Sequence, residues 1–310
     1  MGVIGLELRQ RRGVAGFDFS TGTLPPGASF ARASLATRWS SAGVLASEAA
    51  DVARFDYHPL TLAPRGLLIE AAQTNALLRS GELAVSPWSA PGATLTGGQP
   101  APDGGTGATL ANDGGASFGQ LTQSIAATSG TICLSAYVRK DAVGKASRFM
   151  VLRLGTNIDL GLDTATGEVV DIRGTAAGVG IEDCGAWWRP WIATSTSVSG
   201  TVLYPAWGAG AMVLASSGAA VTGSVTLFGV QLEARSTPSS YVPSGAAAGT
   251  RAADVLTLNW AMHGVPDGSV TVRYGFDDGS TQDVVMSVAG GVAVVPDTLN
   301  RRRILSVRLA

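Results

Sequence analysis

Apolar and polar side chains alternate in short runs along most of this chain, and the runs are broken at close intervals by Gly, Asp and Thr. From Ser117 the pattern reads strand after strand: 118–126, 131–139, 148–154, 157–163, 168–172, 187–195, 201–206, 211–215 and 224–234. Asp163-Thr164-Ala165-Thr166-Gly167 supplies the glycine that a hairpin with a positive φ needs. A β-sandwich is predicted for 81–245. The stretch 90–107, with Pro91, Pro100, Pro102 and repeated Gly, reads as loop.

The flanks carry different signals. Residues 1–80 hold a short apolar-basic start, then Phe17-Asp18-Phe19, then the breaker-rich 20–27, and few regular elements before 65–78. So little apolar surface cannot bury a core alone, which predicts that 1–27 is an attachment arm for a larger assembly. After Pro243, the small-residue run Ser244–Gly249 reads as a linker. Beyond it, 270–274 alternates, 277–280 turns, 282–288 returns and 304–309 closes the chain. A small β-domain is predicted for 246–310, cleavable by protease between Ser244 and Gly249.

Composition agrees with an all-β chain. Its 310 residues include 41 Gly and 14 Pro, and only 15% are charged. The formal net charge of -1 lacks the basic excess that neutralising a nucleic-acid backbone requires. No apolar run reaches the roughly 18 residues of a spanning helix, so no membrane insertion is expected. The basic residues near the N-terminus follow the apolar run, opposite to the order in a secretory signal, so synthesis in the cytoplasm is expected. Cys133 and Cys184 are too few for a disulfide scaffold and read as buried free thiols.

Candidate chemistry is sparse. His58 and His263 sit in turns, and neither accompanies a nucleophile elbow. Glu70, Glu182, Asp183 and Glu233 could in principle hydrolyse a glycoside. Asp103, Asn112, Asp113, Asp277 and Asp278 are loop oxygen donors without the spacing of a calcium loop. No catalytic residue, cofactor or metal is assigned. The stronger signal is aromatic: Trp187, Trp188, Trp191, Tyr204 and Trp207 cluster although aromatics make up 6% of the chain. Indole faces stack on sugar rings, and side chains such as Arg189 and Asn157 could fix hydroxyls. On a strand, Trp187, Arg189 and Trp191 share one face and Trp188 takes the other. Trp188 is assigned to the core; Trp191, Tyr204, Trp207 and Arg189 are the candidate carbohydrate-binding residues.

Separated motifs add a family resemblance. Phe30-Ala31-Arg32-Ala33-Ser34, Arg54-Phe55-Asp56-Tyr57, Arg65 to Glu70 and Thr74-Asn75 come first. Ile181 to Arg189 follows, then Gly229 to Glu233, Ser239-Ser240-Tyr241-Val242-Pro243 and Thr250 to Asp254. In that order they resemble a jelly-roll module of bacteriophage tail-fibre and head-spike proteins, over roughly 28–254, with Trp188 where the family has Tyr. The resemblance implies a non-enzymatic virion protein, carried on a phage or a phage-like particle such as a gene transfer agent, that binds bacterial surface polysaccharide. It also implies docking on other virion proteins through the N-terminal arm, and homo-oligomers, a trimer in a fibre or a pentamer at a capsid vertex. A purely structural adaptor and a polysaccharide depolymerase are the alternatives.

Overall fold

The computed structural model describes residues 15–113, 119–126, 128, 130–140, 149–155, 158–204 and 222–310. The chain is all-β and its sheets are antiparallel. The middle of the chain builds two of them. One is six-stranded, in the order Gly178–Cys184, Trp187–Thr194, Ile132–Arg139, Thr222–Glu233, Thr106–Asp113, Thr94–Pro100. The other is five-stranded, in the order Leu121–Gln123, Thr201–Tyr204, Phe149–Leu154, Ile158–Asp163, Val169–Arg173. Leu134, Val138, Ile192 and Leu227 of the first sheet share one core with Met150, Leu152, Leu160 and Leu162 of the second, so the two form a sandwich.

The strand Ile132–Arg139 is apolar almost throughout because both of its faces are covered. Leu134, Ala136 and Val138 face the sandwich core. On the other face Tyr137 packs with Trp39, Leu45, Trp187, Phe228 and Tyr241. A strand buried on both sides loses the alternation that a half-exposed strand keeps. Conversely, Thr94–Pro100 and Thr106–Asp113 fall partly in the stretch expected to be loop. The first of them is a largely exposed edge strand with an irregular register at Gly97 to Gln99, so no apolar stripe marks it. The expected strand 211–215 lies outside the described residues.

The two ends of the chain do not form separate units as expected. They interleave in one. Its main sheet runs Thr281–Val288, Gly268–Phe276, Arg303–Leu309, Pro64–Leu68, Phe55–Tyr57, and Gly16–Asp18 also pairs with Arg303–Leu309. A three-stranded sheet places Val255–Asn259 between Ala28–Ala31 and Val292–Val294. Phe17, Phe19, Leu67 and Ile69 from the N-terminal side fill the same core as Leu258, Trp260, Tyr274, Phe276 and Val307. The boundaries expected at 80/81 and 245/246 therefore cut through shared sheet and core. Of the expected arm, 1–14 lies outside the described residues. Phe17 and Phe19 are buried because the C-terminal strand provides the partner they lack locally. Within the expected linker, 245–248 is exposed, but Gly249–Arg251 pairs with Gln73–Asn75.

Cys133 and Cys184 are buried free thiols, and burial pushes both above the usual thiol range. Among the described residues no helix is long and apolar enough to cross a membrane.

Candidate functional site

The motif residues converge on one buried polar junction between the sandwich and the terminal unit. At its centre the Glu70 carboxylate meets Arg54 at 3.0 Å, Arg251 at 3.0 Å and Arg302 at 3.2 Å. It also accepts the Ser240 N–H at 2.9 Å and the Ser240 hydroxyl at 2.6 Å. Burial works to raise the Glu70 carboxyl, but Arg251, Arg54 and Arg302 outweigh it and hold the group well below the usual carboxylate range. Asp254 pairs with Arg54 and Arg32, and Arg32 in turn donates to the carbonyls of Ser34 at 2.7 Å and Ala49 at 2.6 Å. Beside them Glu233 accepts from the Ser239 N–H at 2.8 Å and hydroxyl at 2.7 Å. Asn75 ties the carbonyls of Val230 and Val242.

Arg189 belongs to this junction. It is 1% exposed and donates to the Ser239 carbonyl at 2.7 Å and the Ser135 hydroxyl at 3.2 Å, with its guanidinium over the Tyr137 ring. It was expected to meet a sugar hydroxyl; the Ser239 carbonyl and the Ser135 hydroxyl take those donors instead. The shared face of Trp187, Arg189 and Trp191 is thus covered progressively. Trp187 is buried under Trp39 and Tyr241, Arg189 under Ser239, and the cover stops at Trp191, which is half-buried. Trp188, on the other face, packs half-buried against the sandwich core and donates its indole N–H to the Thr164 carbonyl at 2.9 Å, with Lys140 Nζ 3.7 Å from the ring centroid.

Where the cover stops, a cleft of about 300 Å³ opens between the two units. Trp191, Glu182, Arg235, Thr237 and Pro238 form its sandwich wall; Asp277, Asp297, Asn300 and Arg301 to Arg303 line the wall from the terminal unit. Most of these charges are spent on each other. Arg302 meets Glu182 at 2.8 Å, Arg301 meets Asp278 at 2.7 Å, Arg303 meets Asp56 at 2.6 Å and Arg65 meets Asp277 at 2.6 Å. Burial also works to raise the Glu182 carboxyl, and Arg302 and Arg189 more than reverse it. The sequence reading missed this wall, because its residues become neighbours of Trp191 only through the interleaving of the chain ends.

Tyr204 lies in the strand Thr201–Tyr204, across from Val151, on the five-stranded sheet rather than on that of Trp191. Trp207 and Asn157 lie outside the described residues. Among the described residues no three or more His, Cys, Asp and Glu side chains gather as a metal-binding group. The loop carboxylates serve local geometry: Asp103 accepts the Gly105 N–H and Asp278 the Ser280 N–H. His58 does the same, its Nδ1 accepting the N–H groups of Leu60 and Thr61.

Compared with protein-family models, the chain matches none, and a search of curated proteins finds no match.

Proposed function

We propose that this chain is a non-enzymatic adhesion protein of a phage or phage-like particle, a tail fibre or head spike, with a jelly-roll middle that holds bacterial surface saccharide in the Trp191 cleft. The observation that carries the reading is a half-buried indole in a cleft whose other walls include planar Asn, Asp, Glu and Arg side chains. That combination suits a ring with an apolar C–H face and a hydroxyl rim. The ordered motif resemblance supports the particle context. Weak single sites gain from several copies on one particle, which fits a trimer or pentamer. Glu70 and Glu182, the glutamates of the cleft, are kept ionised by arginines, the reverse of what protonating a glycosidic oxygen demands, so binding is favoured over depolymerisation.

Trp191→Ala tests the reading. Adsorption to encapsulated cells and binding on a glycan array should both drop, while the melting temperature stays within about 5 °C, since the Trp191 ring lies outside the hydrophobic cores. Undiminished binding by a folded Trp191→Ala protein would refute it. The structural-adaptor reading has one observation of its own. Val285 and Val294, on edge strands of the terminal unit, are 67% and 59% exposed and line a shallow apolar groove with Val292 and Pro296. Loss of particle assembly, with sugar binding intact, in Val285→Lys/Val294→Lys would favour it.

A further inference from the structure

We propose that the saccharide taken by the Trp191 cleft is a carboxylated one, with its carboxylate held by Arg235; this rests on the reading of the cleft as a saccharide site. Most charges of the cleft are already satisfied within the protein. Arg301, Arg302 and Arg303 are each committed to a carboxylate of the protein, and so are Asp277 and Glu182 to arginines. Arg235 is different. It lines the same wall as Trp191, is only partly buried, and among the described residues its guanidinium has no carboxylate or carbonyl partner; only its backbone N–H is engaged, by the Glu233 carbonyl.

A guanidinium left free beside an aromatic platform favours a planar anion, which it meets with two parallel N–H bonds. A neutral sugar would leave it facing hydroxyls alone. Among the described residues Asp297 is the cleft carboxylate without a protein partner; it is exposed on the opposite wall, which Asn300 also lines. Asp297 accepts hydroxyl hydrogens, and Asn300 can donate or accept. The two walls therefore divide the work. The sandwich wall reads the ring face and the acid group; the terminal wall reads hydroxyls. A hexuronic acid residue, with a carboxylate at one end of a pyranose and hydroxyls at the other, presents these groups in that division.

The experiment uses the full chain and matched pairs of probes: bacterial and plant polysaccharides rich in uronic acid, and the same polymers after carboxyl reduction to the neutral sugars. Wild-type protein should bind the acidic form at least about ten-fold more tightly, the difference between a charge-assisted and a neutral hydrogen bond. The preference should shrink as salt rises. Arg235→Gln should bring the two forms within about two-fold of each other, whereas Trp191→Ala should weaken both alike and keep their ratio. Equal binding of the two forms by wild-type protein, or a preference that survives Arg235→Gln, overturns the acid-specific reading and leaves the saccharide site standing. No binding to either form of any probe, in a folded protein, overturns both.

Discussion

Gly180 lies directly across from Trp191 in the pair of strands Gly178–Cys184 and Trp187–Thr194, and a Cβ at Gly180 would come within 2.7 Å of the indole. A Cβ at Gly178 would come within 3.2 Å of the same ring. The indole is therefore laid over two side-chain-free positions of the edge strand, an aromatic covering glycine on a sheet. This contact fixes how the ring meets the cleft.

Gly180→Val should consequently lift the indole from its seat. The edge strand itself tolerates a β-branched residue, so stability should change by no more than about 1 kcal/mol, while saccharide binding falls nearly as far as in Trp191→Ala. Denaturant melts beside a binding titration check this. Full binding in Gly180→Val would show that the seat is irrelevant to the cleft.

Arg54 spans the junction. Its guanidinium reaches the Thr37 carbonyl at 2.9 Å, the Ser240 hydroxyl at 2.8 Å and the carboxylates of Glu70 and Asp254. Arg54→Met leaves two buried anions short of a cation, and an uncompensated buried charge costs about 3–5 kcal/mol. Arg54→Met and Asp254→Leu together should cost less than the sum of the two single losses, because both remove the same buried ion pair. Chemical denaturation of the single and double variants measures the coupling. A loss under about 1 kcal/mol for Arg54→Met alone would mean that the network is not what joins the units.

The strands of the sandwich core could be read from the sequence because Phe149–Leu154, Ile158–Asp163 and Trp187–Thr194 are short runs rich in large apolar side chains with glycines in the turns near their ends. The edge strand Thr94–Pro100 could not: it is largely exposed, with Leu95 half-buried against the core, so no apolar stripe announces it. The sharing of one core by Phe17, Leu67 and Val307 was equally hidden, since periodicity reports that a residue wants a partner and not which residue supplies it. For the site, the indole of Trp191 was visible as a candidate. Arg189 misled because an arginine beside tryptophans in sequence looks like a sugar ligand, whereas Ser239, fifty positions on, caps it. Arg32, Arg54, Arg251 and Asp254 were visible as motif letters, and Glu70 and Glu233 also as possible catalytic carboxylates; folding makes them a single junction.

The interleaved ends predict that residues 250–310 will not fold in isolation. The strand Arg303–Leu309 would lose the strands Pro64–Leu68 and Gly16–Asp18 that pair with it, and Tyr274 and Val307 would lose Phe17, Phe19 and Leu67 from their core. The isolated fragment should lack dispersed amide resonances. In the intact chain Phe19→Ala should cost about 3–5 kcal/mol. A folded fragment, or a neutral Phe19→Ala, would restore the view of an independent C-terminal domain.

The last prediction concerns acid. Arg251, Arg54 and Arg302 hold the folded Glu70 carboxyl well below its ordinary value of 4.5 despite burial, so folding strengthens this acid relative to the unfolded chain. Such a group gives its full stabilisation above the unfolded value and loses it as pH falls through the folded one, because the unfolded state then binds the proton that the native state resists. Stability should therefore be flat in pH on the neutral side and decline below about pH 4.5. Other depressed carboxyls, Glu182 among them, add to the decline, so the diagnostic quantity is the difference from a variant. Glu70→Gln keeps the shape of the side chain but cannot titrate. It should be less stable than wild type at pH 7, and the gap should narrow steadily as pH drops below 4.5, because the unfolded wild-type chain takes up a proton there that the native state still resists. Urea melts of both proteins from pH 7 down to the lowest pH at which they stay folded give that gap directly. A gap that stays constant or widens with acid would mean that the arginines do not hold Glu70 as an anion at the junction.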